Sequence, residues 1–218
     1  MSRLPFVSSN SRTSKLFELV HSDIWGPSCV ESFDGYRYYV TFIDDYSRVT
    51  WLYLLKLKSD LFDAFKDFHN LITKQFSSKL YMLRSDNGTE YTSNNMSNYL
   101  SNHGILHQTS CVGTPQQNGV AERKNRDLLE KTRSLMIQMN VPKKFWSQAL
   151  LTATYIINRL LTQVLNAKSP FEVMKGRPIN LSHLRTFSCT CYVHIQALHH
   201  DKLNLRAAKC VFMGYASS

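Results

Sequence analysis

Three carboxylates set far apart in the chain have the surroundings of a metal-dependent phosphoryl-transfer site: Asp23 in "HSDIWGP", Asp86 in "LRSDNGTEY" and Glu122 in "GTPQQNGVAERKNR". Thirty-five residues separate Asp86 from Glu122. Like charges brought together repel, so such a group is stable when ionised only where cations neutralise it. Hard oxygen donors on rigid elements suit Mg2+ or Mn2+. Two such ions about 3.5–4 Å apart can activate a nucleophilic oxygen and stabilise the leaving oxygen of a phosphodiester, with no covalent enzyme intermediate. That chemistry needs elements that hold the three side chains still.

The run "LFELVHSDIWG" reads as a first strand with Asp23 at its end, stopped by Gly26-Pro27. Residues 37–45 and 49–57 are β-branched and aromatic and read as the second and third strands, turned by "DDYSR". Adjacent Asp44 and Asp45 are expected to serve that turn rather than a metal. From Ser59, a candidate N-cap, to about Phe76, the residues Leu61, Phe62, Phe65, Phe68, Leu71 and Ile72 recur at helical spacing. "KLYMLRS" is a fourth strand that ends at Asp86, with a turn at Asn87-Gly88. Residues 93–103 read as a short helix, "GILHQT" as a fifth strand and "SCVGTPQQNG" as a loop.

A long helix follows, started by Thr114-Pro115 unless Asn118-Gly119 delays it. Its apolar face carries Ala121, Leu128, Thr132, Leu135, Met136 and Met139. Glu122 sits roughly 80–100° from the centre of that face, and Arg126 and Arg133 lie within about 40° of Glu122. Two readings are open: an intrahelical Glu122–Arg126 pair worth about 0.2–0.5 kcal/mol, or a metal-binding carboxylate beside arginines that hold phosphates. Asp23 and Asp86 favour the second.

The chain has 218 residues, enough for one sizeable core and a small appendage. No apolar run approaches the roughly 18 residues that span a membrane, and the start lacks a signal-peptide core, so an intracellular protein is expected. Five scattered cysteines argue against a disulfide framework. The net charge of +10 is uneven: residues 1–100 hold eleven basic and eleven acidic side chains, and residues 101–218 hold fifteen and five. A neutral half with an acidic constellation followed by a basic half suits a polyanionic partner, although a basic solvated face would read the same way.

"HSDIWGP", "FIDDYSR", "SDNGTEY", "TPQQNGVAERKNRDLLEKTRSLM", "VPKKFWSQALLTATYIINRL" and "SPFEVMKGRP" together resemble the integrase of copia-type LTR retrotransposons, in the right order and over nearly the whole chain. The resemblance implies an α/β RNase H-like fold, a five-stranded mixed sheet flanked by helices. It implies DDE-type strand transfer, in which a 3′-hydroxyl of element DNA attacks a target phosphodiester. Asp23 would bridge two Mg2+ or Mn2+ ions, Asp86 would complete one and Glu122 the other. Gln116, Gln117, Asn118 and Gly119 match the family's active-site loop beside DNA. Arg123, Lys124 and Arg126, with Arg133 on the same helix, are expected at phosphates. A homo-oligomer acting on element ends and target DNA in the nucleus is implied.

The expected layout is a flexible lead-in over 1–17, the catalytic core over 18–139, a helical extension over 140–165, a connector over 166–182 and a truncated SH3-like β region over 183–218. "LPFVSSNS" resembles the linker after the family's His/Cys zinc-binding module, so the chain is read as a fragment of a plant-like element. Cys189 and Cys191, near His194, His199 and His200, lack the usual ligand gap, so no zinc is expected. The competing readings are a catalytically silent DNA-binding remnant and an RNase H-type nuclease.

Overall fold

Alternation along two central strands decides which side chains meet which helices. In the computed structural model, which describes residues 12–110, 118–195 and 205–215, five strands form one sheet in the order β3-β2-β1-β4-β5. β1 (Val20–Trp25), β2 (Tyr38–Asp44) and β3 (Thr50–Leu55) are antiparallel neighbours. On the other side of β1, β4 (Met82–Ser85) pairs parallel to it and β5 (Leu106–Thr109) pairs parallel to β4. This is the mixed five-stranded sheet of an RNase H-like fold.

Because successive strand residues point to opposite faces, β2 can be buried throughout only if both faces are covered. Val40 and Phe42 meet Leu61, Phe65, Phe68 and Ile72 of α1 (Leu61–Gln75), and Met96 and Leu100 of α2 (Asn94–Asn102) complete that core. Phe42 stacks on Phe68 with ring centroids 4.5 Å apart, a contact whose truncation to Ala costs about 3–5 kcal/mol. On the opposite face Tyr39 packs with Leu128 of α3 (Gly119–Gln138) and with Trp146, Leu150 and Ala153 of α4 (Trp146–Ile157). Asp23 is paired with Thr41, and so shares this second face with Tyr39.

Several expectations need correction. Residues 12–17 are not a loose lead-in: Phe17 is fully buried against Trp51 and Phe76, and its N–H donates to Asp44 Oδ1 at 2.7 Å. Arg12 donates to the backbone oxygens of Val164 and Tyr46, and the Thr13 N–H donates to Asp45 Oδ2. A short 3-10 turn, Lys58–Asp60, precedes α1, and Asp60 rather than Ser59 collects the local N–H groups, those of Lys56 and Leu57.

α4 is no mere extension, since its buried face builds the second core, and Trp146 donates its indole N–H to the Val30 oxygen at 3.0 Å. The connector holds a helix, α5 (Pro170–Lys175), fixed by a Ser169–Glu172 capping box with Pro at its first position. β6 (Thr190–His194) and β7 (Ala207–Val211) form a separate antiparallel pair with Cys191 opposite Cys210. Tyr215 stacks on Tyr155 of α4 at 4.0 Å. His199 and His200 lie outside the described residues. No described helix is long and apolar enough to cross a membrane.

Candidate active site

Asp23 does not end its strand. It lies within β1, two residues before Trp25, with ladder pairing on either side, so its backbone is fixed by β2. Its side chain is half-buried and accepts one side-chain hydrogen bond, from Asn125 Nδ2 at 2.8 Å. Asn125 is itself oriented by Thr41, whose hydroxyl donates to Asn125 Oδ1 at 3.1 Å. The amide therefore ties β2, α3 and Asp23 together. Its side chain lies on the buried face of α3 with Ala121, Leu128 and Thr132.

Asp86 immediately follows β4. Its Oδ1 accepts from the Gly88 N–H at 3.1 Å, and a Cβ on residue 88 would stand 3.2 Å from that oxygen and 3.0 Å from the Glu90 carboxyl carbon. Glycine at 88 gives the turn room to close over the carboxylate. The rest of the loop is held from below: Tyr91 is buried, and its hydroxyl shares a 2.6 Å hydrogen bond with Ser22, the neighbour of Asp23. Burial pushes the Tyr91 phenol well above its ordinary range, and Asp23 and Asp86 add to the shift. Asn87 donates to the Ser110 oxygen, which fixes the turn against the end of β5.

Glu122 occupies the first turn of α3, and its side chain is exposed. Negative charge there is favourable next to the positive end of the helix dipole. The helix begins at Gly119, later than Thr114-Pro115 suggests, with Asn118 as N-cap. Asn118 does not cap through its side chain; it donates to the Ser22 oxygen at 3.1 Å and so stitches the start of α3 to β1. Among the described residues Glu122 forms no salt bridge with Arg126, so the intrahelical pair is not what holds it.

The three carboxylates share one electrostatic field. The Asp23 carboxyl is pushed up to about 6, first by burial, with Asp86 and Glu122 as repelling neighbours; the Asn125 hydrogen bond only partly offsets this. Nearby, the Tyr39 hydroxyl is buried without a partner among the described residues and is driven upward by burial and by Asp23. Such a field, made by hard oxygen donors and short of positive charge, fits a divalent cation in donor type and sign. The side chains are not drawn into a closed cluster: among the described residues no group of three or more His, Cys, Asp or Glu is arranged to hold a metal ion.

The other expected residues divide between two edges of α3. Arg126 and Arg133 are exposed, and at 100° per residue they share the edge of Glu122. Lys124 is turned about 160° from Glu122 by the same geometry and lines a separate cavity, with Arg123. Gly119 is buried, with the Arg123 guanidinium lying over it. Gln116 and Gln117 lie outside the described residues. The residues missed are Thr41, Tyr91 and Asn125; for Asn125 the signal was present, an amide on the apolar side of a helix next to a catalytic candidate.

Residues 14–115 match the family described as integrase core domain, and residues 189–218 match the retroviral polymerase SH3-like domain. The chain is 43% identical over 98% of its length to the retrovirus-related Pol polyprotein from transposon TNT 1-94 of Nicotiana tabacum. Over the same share it is 42% identical to that from transposon RE2 of Arabidopsis thaliana. It spans only 16% and 14% of those relatives' lengths. In fold it is similar to a chain of a simian T-cell lymphotropic virus intasome in complex with PP2A regulatory subunit B56 gamma. That likeness has a TM-score of 0.60 at 20% identity over 92% of this chain and 69% of that one. A second neighbour is the HTLV-2 integrase catalytic core domain in complex with magnesium, in its trimeric form. Here the TM-score is 0.55 at 17% identity over 74% of this chain and 99% of the other.

Proposed function

We propose that this chain, which belongs to the integrase core family of retrovirus-related Pol polyproteins, performs metal-dependent DNA strand transfer with Asp23, Asp86 and Glu122 as its acidic residues. One observation carries the reading: the loop residue Asp86 and the helix residue Glu122, remote in sequence, both stand near enough to the strand residue Asp23 to act on its carboxyl, which burial first and these neighbours next push up to about 6. Asp23, Asp86 and Glu122 would hold the divalent ions, Mg2+ or Mn2+. When bound, two such ions activate an attacking hydroxyl and stabilise the leaving oxygen.

The chain's own residues supply the positioning. Asn125 fixes one oxygen of Asp23, the Gly88 N–H fixes one oxygen of Asp86, and Asn118 locks the first turn of α3 to β1. Arg126 and Arg133, on the edge of Glu122, bind backbone phosphates of the DNA and orient it along that edge. Gln116 and Gln117 are the loop residues proposed to meet the DNA, whereas Asn118 and Gly119, expected there too, are buried and serve the start of α3 instead. The chain acts as a self-associating protein on element and target DNA in the nucleus; the HTLV-2 core has been solved in trimeric and dimeric forms.

The test is a joining or disintegration assay on the folded, DNA-binding chain with Mg2+ or Mn2+. Joining well above an Asp86→Asn control is expected, and joining equal to that control would sink the reading. A second reading, DNA binding without turnover, is favoured by the open arrangement of the carboxylates. It predicts strongly salt-dependent binding together with joining no greater than the control.

A further inference from the structure

On the edge of α3 facing away from Glu122 lies a cavity of about 460 Å³, walled by α3, the end of α4, the turn before α5 and the β2–β3 turn. Four cationic side chains line it, Arg48, Arg123, Lys124 and Lys131, against one carboxylate, Asp127. Asp127 is already paired with Lys131, and Arg48 Nη1 is 3.1 Å from Asp45. Among the described residues, Arg123 and Lys124 make no salt bridge. The cavity therefore holds more positive charge than its own walls neutralise.

Its cations are placed rather than merely crowded. Arg48 reaches it from a backbone at φ 62°, a left-handed conformation unusual for a side chain of this size, and its Nε is buried without a partner among the described residues. The Arg123 guanidinium folds back over Gly119, where a Cβ would meet it at 3.2 Å, so glycine makes space for that pose. Lys124 is half-buried, and that burial together with Lys131 and Arg48 lowers its proton affinity, while Asp127 opposes the effect. Val120, in the first turn of α3, adds the positive end of the helix dipole to the same wall.

We propose that this cavity is a phosphate-binding site, taking one or two adjacent phosphate groups against Arg48, Arg123, Lys124 and Lys131. Anions of that class match several converging charged donors, and the guanidinium groups suit their oxygens. The phosphates belong either to a nucleic-acid strand running behind α3 or to a free polyphosphate anion. The site is separate from the carboxylates and does not depend on the chain being catalytically active.

Amide spectra of the 218-residue chain titrated with sodium pyrophosphate at fixed ionic strength test it. Saturable shifts at Arg48, Val120, Arg123, Lys124 and Lys131 are expected. The pair Lys124→Gln and Lys131→Gln weakens binding by about tenfold or more, as expected for losing charged hydrogen bonds, whereas Arg126→Gln with Arg133→Gln leaves it intact. A single-stranded oligonucleotide distinguishes the sources: a backbone source flattens the salt slope of the cavity variant by about 1.4 for two phosphates, and an unchanged slope assigns the site to a free anion. Absence of shifts at the cavity amides in the unmodified chain overturns the proposal without recourse to any variant. So does unaltered pyrophosphate affinity in a folded cavity variant.

Discussion

Two acidic groups stand on β1, β2 and their neighbours, and they are built on opposite principles. Asp44 and Asp45 adjoin in sequence and are buried in a shell of donors. Asp44 accepts from the Phe17 N–H and from both the N–H and hydroxyl of Ser47, and Asp45 accepts from Thr13, His21 and Arg48. Burial pushes Asp45 up, yet His21, Thr13 and Arg48 outweigh it and hold the carboxyl far below its ordinary range. Burial raises Asp44, which its donors offset only in part. Among the described residues Asp23 has a single side-chain donor, Asn125, and two negative neighbours. A buried carboxylate with many donors stabilises a turn, and one left short of positive charge is available to a cation.

The largest expected effect breaks the first group. Asp45→Ala leaves His21 and Arg48 facing an empty buried position and lowers stability by about 3–5 kcal/mol, measured by denaturant unfolding. A loss under about 1 kcal/mol would erase the contrast. The Asp45 contribution is present above the ordinary carboxylate value and disappears as pH falls through its depressed folded value.

Asp23→Asn has the opposite sign. The folded carboxyl titrates at about 6 instead of 3.8. Between those values the folded state keeps a proton that the unfolded state has released, so stability falls as pH rises. The variant is therefore more stable than the parent at neutral pH without divalent ions, by as much as about 3 kcal/mol. The gain vanishes below about pH 4. Thermal melts at pH 4 and pH 7 read it, and equal gains at both would refute the cause.

A smaller effect tests the positioning. Asn125→Ala weakens divalent-ion affinity by about 10–100-fold, the range for removing a partner that orients a ligand, whereas Asn125→Asp places a fourth negative charge at the site. Isothermal titration with Mn2+ separates them, since only the second changes the charge the ion meets. The smallest expected effect belongs to Arg126→Gln, which reduces the salt slope of duplex binding by about 0.9, one phosphate contact. An unaltered slope would remove Arg126 from the DNA.

Much of this was legible before any coordinates. Period-two and helical spacing located the five strands and four of the five α-helices, and Asn-Gly after β4 placed Asp86 at a turn. Ser169-Pro170-Phe171-Glu172 carried a full capping signal for α5, but its Pro and Gly neighbours read as a connector. Phe17 escaped because its core role depends on tertiary packing with Trp51 and Phe76, which no local period reports. Lys124 needed only the angle test applied to Arg126 and Arg133. Tyr91 and Thr41 are different: their partners, Ser22 and Asn125, lie 69 and 84 residues away, and hydrogen bonds over such distances leave no local pattern.

The Asn125 amide has a direction, oxygen toward Thr41 and nitrogen toward Asp23. An amide presents an acceptor and a donor at those two ends with no net charge. That makes the clamp sensitive to the exchange of a single group. Hydrolysis of this one amide to a carboxylate would replace the nitrogen that steadies Asp23 with an oxygen that repels it, in a side chain of nearly the same shape. A preparation could then keep its fold and its spectrum while a growing fraction of molecules carried a spoiled site.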